Sequence, residues 1–83
     1  MGLKSQIEAL KHKRKYKIYT LHDTSDKTIA ELKKFGEGKT VLVVKGEGMN
    51  PQREIFEERW RAIENALKIK GENPHLTVRL IMY

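Results

Sequence analysis

The five residues Thr40 to Val44, "TVLVV", form the most apolar run in the chain and constrain its fold more than any other stretch. A strand with one wet face alternates apolar and polar residues. This run does not alternate, so it predicts a strand covered on both faces, at the centre of a sheet. The remaining elements have to be arranged around it.

On its N-terminal side, "YKIYTLH" over residues 16–22 is rich in aromatic and β-branched residues and is predicted as a first strand. "DTSDKTIAELKKFG" then carries helix punctuation at both ends. Thr24 or Ser25 can cap it, Asp26 sits in the first turn, Ile29 and Leu32 share a face near Phe35, Lys33 and Lys34 close the last turn, and Gly36 stops it. On the C-terminal side, Pro51 stands where a first helical turn favours it. Phe56, Trp60, Ile63 and Leu67 recur at i, i+4, i+7 and i+11, which predicts a long helix over 51–71 lying flat on the core. "HLTVRLIMY" alternates Leu76, Val78, Leu80 and Met82 against Thr77, Arg79, Ile81 and Tyr83, the pattern of a final edge strand with one wetter face. At the start of the chain, "SQIEALKHKRK" reads as a short helix, with Ser5 and Glu8 as a capping box and Leu3, Ile7 and Leu10 on one face.

This order predicts an α/β protein: a basic N-terminal helix over residues 1–15, followed by a βαβαβ core over 16–83. The expected sheet is small, three-stranded and mainly parallel, in the order 1-2-3, with helices packed on it. Both crossover helices then lie on one face, and the other face is left for the N-terminal helix or a second copy of the chain. The 83 residues make one domain. At that size roughly 60 to 65% of the extended-chain surface is buried, a thin core that keeps a homodimer in view.

The net charge of +6 is unevenly placed. Residues 1–17 hold six cations against Glu8, a net +5, whereas residues 18–83 hold eleven against ten carboxylates, a net +1. A concentrated basic segment makes a local field that attracts phosphate. Lys11, Lys13, Arg14, Lys15 and Lys17 are therefore candidate nucleic-acid-binding residues, with Tyr16 interleaved as a side chain able to stack on an unpaired base. The competing reading is that these cations complement the negative end of a helix dipole and keep a small protein in solution.

A second candidate is "VVKGEGMNP", a glycine-bearing turn expected between a buried strand and a helix N-terminus. Lys45, Gly46, Gly48 and Asn50 would hold a phosphate there, because backbone N–H groups and the helix dipole converge on an anion. The motif is only G-x-G, without the third glycine of the dinucleotide fingerprint or the Gly-Lys-Ser/Thr end of a P-loop, and Glu47 would repel the phosphate. A plain tight turn competes with this reading. His12, His22 and His75 lack metal-ligand spacing and the chain has no cysteine, so neither metal nor cofactor is expected. Asp23, Thr24 and Ser25 are expected to cap a helix, and without a catalytic set, binding is expected in place of enzymatic activity. Arg59, inside the apolar stripe, is either a rim residue whose head reaches water or an interface residue, and Arg79, on the wetter face of the last strand, is a candidate interface residue.

The run from "TVLVVKGEG" through the long helix to "LTVRLIMY" resembles the second half of small basic α/β nucleic-acid proteins of the Alba type, which place a buried strand, a basic glycine turn, a long amphipathic helix and a strand in this order. The likeness covers about half the chain and rests on pattern, not on a motif. It departs from that fold in the extra N-terminal helix and in stopping after one strand where the fold continues into a hairpin.

No run of about 18 apolar residues is present and the N-terminus lacks the apolar centre of a signal peptide, so a cytoplasmic location is expected. The leading reading is a small nucleic-acid-binding or nucleic-acid-associated protein that uses its basic N-terminal segment. A second is a regulatory module that binds an acidic protein partner through that segment, Arg59 and an exposed terminal strand. A third is nucleotide or phosphate binding at the 45–50 turn.

Overall fold

A computed structural model of the protein describes residues 16–83. The expected N-terminal helix, with Lys11, Lys13, Arg14 and Lys15, lies outside the described residues. Those described form β1 (Lys17–Leu21), α1 (Asp26–Lys33), β2 (Thr40–Lys45), β3 (Gln52–Phe56), α2 (Arg59–Glu72) and β4 (Thr77–Met82).

The four strands make one sheet in the order β1-β4-β2-β3, and every neighbouring pair is antiparallel. The expected three-stranded, mainly parallel sheet is thus overturned, and the cause lies in residues 46–58. "GEGMNP" is a hairpin turn in which Gly48 takes a φ of +75°, and it returns the chain antiparallel alongside β2, where Val44 faces Gln52 and Thr40 faces Phe56. Gln52–Phe56 is therefore a strand where a helix had been expected. The two crossover helices do connect parallel strands, but those strands are not neighbours. β4 lies between β1 and β2, and β2 lies between β3 and β4, so two split β-α-β units interleave. The likeness to Alba-type proteins, which needed a helix directly after the glycine turn, does not survive the extra strand.

α1 begins as its sequence indicates. Ser25 is the N-cap, its Oγ accepting from the Thr28 backbone N–H at 3.3 Å, and Gly36, at φ +71°, ends the turn that follows the helix. α2 has no capping side chain of its own. Glu37, from the loop before β2, supplies one by accepting from the Trp60 N–H at 3.3 Å. The buried face of α2 is Arg59, Ala62, Ile63 and Ala66, a stripe rotated from the expected one. Phe56 is in β3, and Trp60 is 40% exposed, with Lys33 Nζ 5.7 Å from its ring centroid.

Both helices cover the same face of the sheet. Leu32 of α1 and Ile63 of α2 join Leu21, Leu42, Val78, Leu80 and Met82 in a single core. β2 is interior, as its apolar run suggested, but only Thr40 and Leu42 are fully buried among the helices, while Val41 and Val43 lie half-buried on the opposite face. The last strand is not an edge. β4 pairs on both sides, and its alternation reflects a sheet with one face covered by helices and one that, among the described residues, is left uncovered.

Candidate nucleic-acid interface

The register fixes what the uncovered face displays. Ile18, Ile81, Val41 and Ile55 stand opposite one another across all four strands and form one apolar row. Two residues along, the next row is Thr20, Arg79, Val43 and Arg53, and beyond it Thr77 faces Lys45. Adjacent strands are about 4.8 Å apart, so the Arg79 and Arg53 backbones, with Val43 between them, are separated by roughly 10 Å. A shallow depression of about 230 Å³ opens here, lined by Val43, Lys45, Pro51, Arg53, Thr77 and Arg79.

No carboxylate occupies a strand position on this face. The one acidic residue within a strand is Glu54, which pairs with Leu42 and so belongs to the helix-covered face. Among the described residues the one ion pair is Arg61 with Glu58, on α2 and its N-cap, so Lys45, Arg53 and Arg79 have no carboxylate within bridging distance. The face thus carries three positive charges within a segment, residues 18–83, whose total is +1. The helices, loops and helix-facing positions of that segment sum to −2.

The candidate residues divide around this face. Arg79 and Lys45 lie on it together. Lys17 does not, because its side chain is on the helix-covered side, with Nζ 5.8 Å from the centroid of the Phe35 ring. Tyr16 is one residue before Lys17 and therefore on the open side, against Tyr83, with ring centroids 5.8 Å apart and planes at 46°. Gly46, Gly48 and Asn50 belong to the hairpin turn, which has no helix N-terminus behind it, so the dipole on which a phosphate site there depended is missing. Gly46 is buried against Met49 and Leu76, where even a Cβ would meet Met49 Sδ at 2.7 Å, and a ligand has no room to approach its backbone.

Arg59, read as a rim residue reaching water or an interface residue, is instead 4% exposed and turned inward. Its Nε donates to Thr40 Oγ1 at 3.0 Å, Nη1 to the Phe35 and Gly36 carbonyls at 2.7 and 3.3 Å, and Nη2 to the Tyr83 carbonyl at 2.6 Å. It is a structural tie between the end of α1, the start of β2 and the end of β4.

Arg53 was missed. It lies within the helix predicted over 51–71. Read with a period of two, "QREIF" alternates Gln52, Glu54 and Phe56 against Arg53 and Ile55, and that alternation is the signal that would have found it.

At the end of β1 the side chains are engaged at the start of α1. Asp23 Oδ1 accepts from the Ser25 N–H at 3.0 Å, from the Ser25 hydroxyl at 2.8 Å and from the Thr28 hydroxyl. The Thr28 hydrogen bond foremost, then the two from Ser25, hold its carboxyl down at about 2. That is capping chemistry. Among the described residues no three His, Asp or Glu side chains converge as metal ligands, and no helix is long and apolar enough to cross a membrane. The chain matches no known family model, none of the curated proteins and none of the solved structures with which it was compared.

Proposed function

We propose that the protein binds nucleic acid, with the uncovered face of the sheet as the contact surface and the basic segment containing Lys11, Lys13, Arg14 and Lys15 contributing to the same attraction. The observation that carries this reading is the placement of Lys45, Arg53 and Arg79 on one face without a carboxylate, in a segment whose overall charge is nearly balanced. Exposed arginines without carboxylate partners are free to neutralise phosphates and release condensed counterions. The reading as a module for an acidic protein partner has less support. It drew on Arg59 and on an edge position for the terminal strand, and both are interior.

The test is the binding of the full chain to labelled oligonucleotides over a range of salt concentrations, repeated with Lys45, Arg53 and Arg79 all changed to alanine. The expected result is a linear fall of log K with log salt, and a large loss of binding at every salt concentration in the triple variant. All three residues are exposed, so thermal unfolding should be nearly unchanged. Absence of binding at low salt, or full binding by the triple variant, would refute the proposal.

A further inference from the structure

We infer that the ligand is a single strand, with its bases on the apolar and aromatic part of the open face and its phosphates on the basic part. The inference rests on the nucleic-acid reading above and specifies the form of the ligand. Its starting point is that the face is two surfaces side by side. The row of Ile18, Ile81, Val41 and Ile55 is flanked on one side by Arg79 and Arg53. On the other side lies the pair Tyr16 and Tyr83, placed by the same alternation one step beyond Ile18 and Ile81.

The exposure of these residues is large for their type. Ile18 is 58% exposed, Ile55 61%, Tyr16 42% and Tyr83 58%. A duplex keeps its bases stacked inside and presents phosphates, so it would engage Lys45, Arg53 and Arg79 and leave the apolar row and both tyrosines in water. A single strand presents flat apolar bases along one edge and anionic phosphates along the other, and it matches both halves. Sheet faces that combine exposed aromatics with cations hold two or three bases in this manner, since every base offers a π-face.

A second copy of the chain is a poorer occupant. A second copy seated on this face would cover Lys45, Arg53 and Arg79 of both copies, and the face has no strand carboxylate to answer them. A duplex, a bare polyanion and the chain's own N-terminal helix, expected from the sequence as a cover for this face, are the alternatives that the experiment separates, the last leaving binding unchanged by Tyr16→Ala and Tyr83→Ala.

The full-length chain is titrated by fluorescence anisotropy, at one fixed salt concentration, against three labelled probes of about a dozen nucleotides each. These are an oligothymidylate, a duplex of the same length, and an abasic sugar-phosphate oligomer. The expected order places the oligothymidylate at least tenfold tighter than either of the others. Tyr16→Ala and Tyr83→Ala should each weaken binding of the oligothymidylate roughly 5- to 150-fold, the range for losing one stacked base, and leave the abasic probe unaffected. Tyr16→Phe and Tyr83→Phe should restore the wild-type affinity. The abasic probe needs no protein variant, so the test stands even where a substitution disturbs folding. Equal affinity for the oligothymidylate and the abasic probe, or tighter binding of the duplex, overturns the inference and leaves phosphate-driven binding intact. Absence of binding to all three probes removes the nucleic-acid reading itself.

Discussion

Arg59, a candidate for an interface, and Asp23, expected at a helix cap, are both engaged by hydrogen bonds within the fold. Arg59 stands in an apolar helical stripe, and a cation there suggests a partner. Its guanidinium instead serves four acceptors on three elements, a task suited to five donors in a rigid planar fork. The arrangement also dictates a glycine. Gly38 has a φ of +152°, and a Cβ there would lie 2.6 Å from Arg59 Nη2. Arg59→Met keeps the length of the stem but leaves the Phe35, Gly36 and Tyr83 carbonyls without their donor. Removing a buried charge recovers some desolvation energy, but the buried Thr40 hydroxyl also loses its donor, and an unsatisfied acceptor costs about 1–3 kcal/mol when fully buried and less when part-buried like these carbonyls, so the losses dominate. Urea denaturation should show a drop of about 2–4 kcal/mol, and an unchanged midpoint would remove the structural role assigned to Arg59. Asp23 is the second case. Its folded-state pKa of about 2 lies below its ordinary value of 3.8, so its hydrogen bonds stabilise the fold fully above about pH 4, and that contribution is lost as the pH falls through 2. The stability difference between the parent and Asp23→Asn should therefore shrink across this window, and a difference that is constant from pH 5 to pH 2 would contradict the hydrogen-bonded carboxylate.

At the scale of elements, the hairpin decides the topology. The sequence identified α1 with a cap at Thr24 or Ser25, β1, β2 and the alternation of β4 because each has a local signal that tertiary contacts reinforce. It misassigned Gln52–Phe56 because Phe56, Trp60, Ile63 and Leu67 happen to fall at helical spacing across an element boundary, so a strand residue was counted in a helical stripe. Pro51 added to the error, since it suits the end of a hairpin loop as well as a first helical turn. One missed strand changed the sheet from parallel to antiparallel and moved β4 from the edge to the interior. The position of β4 has a physical consequence. It is last in the chain but holds β1 to β2, and Val78, Leu80 and Met82 are each no more than 3% exposed. A chain ending at Leu76 should therefore lose cooperative folding altogether, leaving no sigmoidal transition in circular dichroism on heating. Retention of such a transition would show that the β2-β3 hairpin and the helices form a stable unit without the central strand.

At the scale of the whole molecule, the charge imbalance was legible only in part. Counting along the chain locates the excess in residues 1–17 and finds residues 18–83 nearly neutral. It does not find the second imbalance, because Lys45, Arg53 and Arg79 are distant in sequence and meet only through the β4-β2 and β2-β3 registers. Balance along the chain conceals polarity through the fold, with three cations and no strand carboxylate on the bare face of the sheet and a net −2 on the rest of residues 18–83. This arrangement makes a quantitative claim. For a single strand, log K falls with log salt by about 0.7 per phosphate neutralised, so replacing Lys45, Arg53 and Arg79 with alanine should flatten the slope by about 2. Replacing Lys11, Lys13, Arg14 and Lys15 should flatten it by about 3 if all four contact the same strand. If the two basic regions serve one ligand, the combined variant should lose the sum of the two changes in slope. If the sheet variant alters affinity with no change in slope, its cations act through folding and not through phosphate. If only the N-terminal variant alters the slope, the open face is not where the nucleic acid lies.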